Sequence, residues 1–492
     1  MKPNHQIKNR NSLFLICIIL LSLWWTGCSF AEDWTVLNDY YQGAERYNSF
    51  EENPFIYTAI EPVSTFSTDA DGAAYANMRR MVNADKKPLK DAIRTEEFVN
   101  YFQYDYPEPE GTENIGINGE VSSCPWNVEN RLIRIGIKGK TIPLQELPPS
   151  NFVLLIDVSG SMAPENKLPL LKSGLIYLVN TLREEDKIAI VTYSGKWETV
   201  LSSTSGNQKT VINNAIQSLE TGGGTAGSAG INAAYQIAEE NFVSGGNNRI
   251  IIATDGDFNI GITDKDQLID LIKLKRQSGI YLTVIGLGSG NLNEALMESV
   301  ANNGNGIYEY MDNLEQARKI FEYEFNKFYS IADDVKIQVE FDQNLVSAYR
   351  LIGYENRLLQ NNEFESDTTD AGDISVGQTI TALYEIIPAI CAECSGIPSF
   401  TIDFRYKMPG ESVSREITMP ITDYQTGFAE STENNRFAAS VVAYAMLLRQ
   451  SPYKGNVTFS NVIDWAQNAR NYDPHLFREE FIELVETVNA MD

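Results

Sequence analysis

The sequence predicts an α/β protein: a doubly wound, mostly parallel sheet inserted between β-rich segments, with a helical N-terminal region and a helical C-terminal tail. Two observations predict it. Between residues 149 and 330, short apolar runs (NFVLLI, KIAIVTY, RIIIAT, IYLTVIGLG) alternate with segments of helical period (LPLLKSGLIYLVNTL, VINNAIQSL, GINAAYQIAEENF, QLIDLIKLKRQ, LNEALMESVA). Strands that are apolar throughout need helices on both faces of their sheet. On either side, residues 115–148 and 331–425 hold extended pieces such as RLIRIGIKG and SFTIDFRYKM, with a mostly two-residue period. A chain of 492 residues has room for several such parts.

Taken in order, residues 1–27 read as a secretory signal: Lys2, Lys8 and Arg10 precede an apolar run over 13–25 and then small residues. The ending Trp25-Thr26-Gly27-Cys28 resembles the lipobox of bacterial lipoproteins. That resemblance implies cleavage after Gly27 and a lipid on Cys28; cleavage near Ala31 to a free secreted protein, or an uncleaved anchor, are the competing readings. Ser29 lacks the Asp that resembles an inner-membrane retention signal, so the outer membrane is favoured in a two-membrane bacterium. Residues 28–114 carry two helical patterns, AAYANMRRMV and LKDAIRTEEFVNYF, the second with Arg94 and its glutamates facing out. The preceding DADG, Asp69 to Gly72, reads as helix capping by Asp. The β-rich pieces 115–148 and 331–425 can form one sandwich interrupted by the 149–330 domain. Residues 426–492 are helical, with AASVVAYAMLLRQ the strongest pattern.

The formal charge of −27 becomes −30 once the three cations of residues 1–27 are removed. So acidic a surface repels phosphate backbones, which argues against nucleic acid and leaves membrane attachment to the lipid. Outside the signal only His475 remains, so a site of several imidazoles is impossible, and a surface or capping role is expected for it. Cys124, Cys391 and Cys394 are the thiols left besides Cys28. ICAECSG admits a small disulfide loop, a redox pair or half of a zinc site. Ser395-Gly396-Ile397-Pro398 breaks the helix that redox chemistry wants, and zinc would need two further ligands where only Cys124 and His475 remain, so a structural Cys391–Cys394 disulfide is the expectation.

The chemistry gathers at one edge. Asp157 ends the run NFVLLID, and Ser159 and Ser161 follow it in the loop to the next helix; Asp255 ends RIIIATD in the same way. A third loop, ETGGGTAGSAG, brings Thr225 before another helix. In this fold class ligands bind where the carboxyl ends of the strands meet their loops. Two carboxylates and three hydroxyls suit a hard divalent cation, Mg²⁺ or Mn²⁺. Hydroxyls are neutral donors, so such an ion stays electrophilic enough to accept a partner's carboxylate. The run Gly222-Gly223-Gly224-Thr225-Ala226-Gly227 matches G-x-G-x-x-G but follows a helix and lacks a phosphate-binding lysine, so no nucleotide is expected.

Asp157-Val158-Ser159-Gly160-Ser161, Thr225 and Asp255-Gly256 resemble the metal-ion-dependent adhesion site of von Willebrand factor type A domains. The resemblance implies a Rossmann-like domain over 149–330, direct metal contact by the serines and at times the threonine, aspartates acting through water, and an acidic side chain of a protein partner completing the shell. STFSTDADGAAYANMRRM before this domain and DVKIQVEF, YRLIGYENR, ALYEI and FREEFIELV after it resemble bacterial lipoproteins of the von Willebrand type. The expected function is therefore a non-enzymatic, membrane-tethered, metal-dependent binding protein of the cell envelope, used for adhesion or scaffolding. A metal-dependent hydrolase, or a structural subunit of an envelope assembly, are the alternatives.

Overall fold

The computed structural model describes residues 45–68, 71–222, 230–256, 264–369, 371–390 and 397–491. Two short strands, β1 (Ile56–Tyr57) and β2 (Val63–Ser67), lead into helix α1 (Ala73–Asn83) and, after a 3-10 turn at Lys90–Ala92, helix α2 (Thr95–Asn100). The single helix expected over LKDAIRTEEFVNYF is thus split. Ile93 and Arg94 are extended, which turns Arg94, Glu96 and Glu97 inward and not to solvent as their polarity suggested. Burial is sustained by pairing: Arg94 Nη2 lies 2.5 Å from Glu96 Oε1 and 2.5 Å from Asn356 Oδ1. The capping expected from DADG is also reassigned. Ala74 N–H at the start of α1 donates to Glu97 Oε2 at 2.8 Å, while Asp71 Oδ1 accepts from Tyr308 N–H at 3.1 Å. Asp69 lies outside the described residues.

After the hairpin of β3 (Ile115–Ser123) and β4 (Arg131–Gly139), the chain builds the central domain from β5 (Ser150–Asp157), α3 (Leu168–Thr181), β6 (Lys187–Ser194), β7 (Lys196–Ser205), α4 (Lys209–Gln217) and α5 (Gly230–Glu240). It continues through β8 (Asn247–Thr254), α6 (Lys265–Gln277), β9 (Ile280–Leu287), α7 (Glu294–Asn303), β10 (Tyr308–Met311) and α8 (Leu314–Arg318). Among the described residues the sheet has six strands in the order β10-β9-β8-β5-β6-β7, parallel except for β7, which runs against β6.

Strand alternation explains both helical layers. Phe152, Leu154 and Ile156 of β5 face α3 and α4 through Leu171, Leu175 and Ile212, whereas Val153 and Leu155 face α5 and α6 through Ile231, Ala234 and Leu268. After α8 the chain widens into a π turn at Lys319–Tyr323 and then tightens into a 3-10 turn at Phe325–Phe328. Within this stretch Glu324 takes both Lys319 and Lys327 at 2.5 Å inside the protein.

The remaining strands are β11 (Ser330–Phe341), β12 (Val346–Ile352), β13 (Gly372–Ser375), β14 (Thr379–Pro388), β15 (Pro398–Lys407) and β16 (Ser414–Thr422). They form two sheets, β1-β12-β14-β4-β3 and β13-β11-β15-β16 with β2 added on β11. Segments on either side of the central domain are therefore hydrogen-bonded neighbours, β4 lying against β14 from Arg131↔Ile386 to Lys138↔Thr379. Ile133, Ile135 and Ile137 of β4 share a core with Ile337, Val339 and Phe404 of the opposite sheet. The other face of the same sheet, with Leu132 and Leu383, packs under the helices α9 (Glu433–Arg449), α10 (Phe459–Gln467) and α11 (Phe477–Met491).

Helix α1 joins these parts. Ala73 and Ala76 pack into the central domain, while Tyr75, Met78 and Val82 enter the helical cluster. Among the described residues no helix is long and apolar enough to cross a membrane.

Candidate functional site

Adjacency of β5 and β8 brings the two aspartates together. Asp157 is the last residue of β5 and Asp255 follows β8 directly; both side chains are buried, at 2% and 0% residue exposure. Beyond Asp157 the chain turns through Ser159 into a 3-10 turn at Gly160–Met162. Asp157 Oδ1 accepts from Ser159 N–H at 2.8 Å, and Oδ2 from Thr254 Oγ1 at 3.5 Å. That bond closes the turn, and the hydroxyls of Ser159 and Ser161 come to 2.9 Å from one another. Four of the five residues expected to form the site thus meet at the carboxyl edge of the sheet. Thr225 lies outside the described residues, as do Cys28, Cys391 and Cys394. Cys124 is a free, buried thiol in the cluster under the C-terminal helices. His475 stacks on Tyr323, ring centroids 3.8 Å apart, in the helical region.

The electrostatics of the two acids differ. Burial pushes the Asp157 carboxyl up to about 6, with Asp255's charge adding to it and the hydrogen bonds from Ser159 opposing it. Asp255 is also buried, which alone would raise it, but the hydrogen bond from Lys167, then that from Ser161, hold it below its usual value. Lys167 Nζ lies 2.8 Å from Asp255 Oδ2 and 3.4 Å from Asn291 Oδ1. Lys167 and Asn291 are the residues that sequence reasoning missed. Lys167, just before LPLLKSGLIYLV, reads locally as an ordinary helix-start lysine, and Asn291 lies in a loop far along the chain, so no local signal pairs them.

The donor set fits a hard cation. Two carboxylates face one another in a dry setting, one of them only partly neutralised, with two neutral hydroxyls between the loops. The buried Tyr193 hydroxyl, in register with Asp157 across β5 and β6, is turned toward the Asp157 carboxyl and Thr254. The described residues hold no group of three or more His, Cys, Asp or Glu side chains suited to a metal.

The loop after β9 carries Asn291 and leads into α7, where Glu294 is buried with Oε1 unpartnered among the described residues. Burial first, then the charge of Glu298, pushes its carboxyl up to about 8, against the pull of Arg94 and Arg80. A raised folded-state value means that the native chain keeps a proton the unfolded chain has released. Stability is therefore full below the unfolded value near 4.5 and falls as pH rises through about 8. Thermal unfolding followed from about pH 5 to 8 should show this fall in the wild type, and Glu294→Gln should flatten it and be the more stable protein at the alkaline end. An unchanged slope in Glu294→Gln would assign the pH dependence elsewhere.

Comparison with known proteins matches this architecture in three pieces. The von Willebrand factor type A domain model matches residues 151–323, a von Willebrand factor model matches 41–134, and the model for the C-terminal part of the uncharacterized protein YfbK matches 326–398 and 393–491. The uncharacterized protein YfbK of Escherichia coli (strain K12) is 39% identical over 476 residues, covering 91% of this chain and 82% of that protein. The uncharacterized protein sll0103 of Synechocystis sp. is 28% identical over 206 residues, 41% of this chain and 47% of its own length. Among solved structures, a von Willebrand factor type A protein from Catenulispora acidiphila aligns with a TM-score of 0.43 at 14% identity, covering 78% of this chain and 91% of that one. With the match to the Escherichia coli protein running nearly end to end, the chain belongs to the family of the uncharacterized protein YfbK, built around a von Willebrand factor type A domain.

Proposed function

We propose that the chain is a metal-dependent protein-binding protein of the cell envelope, not an enzyme, held to a membrane by a lipid on Cys28. The observation that carries this reading is the convergence of Asp157 and Asp255, both buried, with the hydroxyls of Ser159 and Ser161 at the carboxyl edge of adjacent strands. The presence of a von Willebrand factor type A domain supports an interaction role in general terms. Ser159, Ser161 and Thr225 offer neutral oxygen donors, and Asp157 and Asp255 hold those hydroxyls and the surrounding water in place. Bound there, Mg²⁺ or Mn²⁺ supplies an electrophilic position for one carboxylate oxygen of a partner's Asp or Glu. The tether at Cys28, with the outer membrane favoured where there are two, and a disulfide between Cys391 and Cys394 belong to the same proposal for an exported chain.

The test pairs metal with partner. Thermal unfolding of the purified chain with and without Mg²⁺ should show a rise of several degrees in the wild type and none in Asp157→Ala. In membrane extract, the wild type should capture partners that chelator releases, and Asp157→Ala should not, while Cys28→Ala should move the chain from the membrane to the soluble fraction. Identical metal responses in wild type and Asp157→Ala would end the metal-dependent reading.

A further inference from the structure

The rim carries a cation of its own. Lys167 is fixed at both ends: its Nζ bonds Asp255 and Asn291, and its backbone carbonyl accepts from Leu171 N–H at 2.9 Å in the first turn of α3. The stem between them lies against Gly288. A Cβ added there would fall 2.2 Å from Lys167 Cε and 2.6 Å from Cγ, and the glycine holds φ +72. The β9 loop thus leaves room for a methylene chain, and only glycine leaves it. With its side chain 7% exposed, Lys167 is part of the site's interior and not a mobile surface charge.

Resting on the metal-dependent reading above, we propose that Lys167 is a resident counter-charge that weakens the site's hold on its divalent cation and strengthens its hold on the partner's carboxylate. Charge counting gives the reason. Asp157, Asp255 and Lys167 together carry one net negative charge, so a divalent cation leaves the loaded rim with one net positive charge. One partner carboxylate then neutralises it. Without Lys167 the loaded rim is already neutral, and the arriving carboxylate leaves an uncompensated negative charge where solvation is poor. Lys167 therefore trades metal affinity for ligand affinity. Asn291 Oδ1, 3.4 Å from the same ammonium, gives the lysine a second anchor at the rim.

Calorimetric titration of the full chain with MgCl₂ and with MnCl₂, near neutral pH and at low salt, tests the first half, using wild type, Lys167→Met and Lys167→Arg. Methionine keeps the stem and removes the charge, so it should bind either ion about tenfold more tightly, whereas arginine should bind like wild type. Structural damage would weaken metal binding, so tightening is a readout that a merely packing role would not give. Titration of the metal-saturated proteins with glutarate tests the second half, and Lys167→Met should bind it about tenfold more weakly.

Equal or weaker metal binding by Lys167→Met overturns the inference, and so does an arginine variant that behaves like the methionine one. Should Lys167→Met not fold, Lys167→Gln removes the same charge and is read by the same two titrations. Heat from Lys167→Met where wild type gives none would support the inference in its strongest form. Silence from every variant would overturn both it and the metal-dependent reading, while tight metal binding by wild type with no change in Lys167→Met would overturn it alone.

Discussion

Arg79→Met is expected to destabilise the chain by about 3–5 kcal/mol, measured by urea unfolding at neutral pH. The guanidinium is 1% exposed and serves three parts of the fold at once. Its Nε and Nη2 make a two-pronged pair with Asp312 at 2.8 and 2.5 Å, just past β10 of the central domain, and Nη2 also reaches Gln316 Oε1 at 3.0 Å. Its Nη1 donates to Tyr101 Oη at 2.7 Å and to Glu480 Oε2 at 2.9 Å on helix α11. Methionine preserves most of the stem, so the cost does not come from a cavity. It comes from Asp312, whose side chain is 3% exposed and would be left charged without its partner.

The comparison is Arg405→Met, which also removes several ion pairs. Its partners Glu365, Asp367 and Glu416 are 74%, 48% and 48% exposed, so at most about 1 kcal/mol is expected. Equal losses in the two variants would show that burial of the pair is not what matters. Because Arg79 ties α1 to both the central domain and the C-terminal helices, its loss should also broaden the unfolding transition.

What could be read from the sequence was whatever repeats locally. NFVLLID and RIIIATD carry unbroken apolar runs, residues 152–156 and 250–253, shortly before their final carboxylates, so strand, burial and the exit of each acid at the sheet's edge follow from a few residues. The alternating period of RLIRIGIKG likewise fixes which isoleucines face the opposite sheet. What could not be read depends on partners far away in sequence. VSTFS becomes a strand because Val63–Ser67 pairs with Lys336–Glu340, more than two hundred residues on.

Arg94, Glu96 and Glu97 look solvent-facing in the sequence, yet they are buried because each finds a partner there. The split of that helix has the same origin. Lys167 shows the limit at the site itself. Nothing local distinguishes it from an exposed helix-start lysine, and its role appears only once Gly288 and Asn291 arrive from the β9 loop.

That loop also makes Gly256 critical, and Gly256→Ala is expected to cost about 3–5 kcal/mol and to remove the Mg²⁺-induced thermal shift. Two effects add. The residue sits at φ +112, where an L side chain is strained by about 1–3 kcal/mol, and a Cβ there would lie 2.4 Å from Asn291 O and 2.9 Å from Asn293 N. Those are backbone atoms at the start of α7, so they cannot swing away as a side chain would. Relief requires the strand-end segment holding Asp255 to move away from the Asn291 loop.

Gly290→Ala separates the two effects. Its φ is +98, but an added Cβ meets nothing within 4 Å, so it should show the torsional cost alone, about 1–3 kcal/mol, and keep the metal response. If Gly256→Ala matches Gly290→Ala in both stability and metal response, the close approach of the two loops is not what holds Asp255 in place. If instead only Gly256→Ala loses the response, the position of Asp255 depends on backbone meeting backbone, and glycine after that aspartate is required by the neighbouring loop as well as by the turn it sits in.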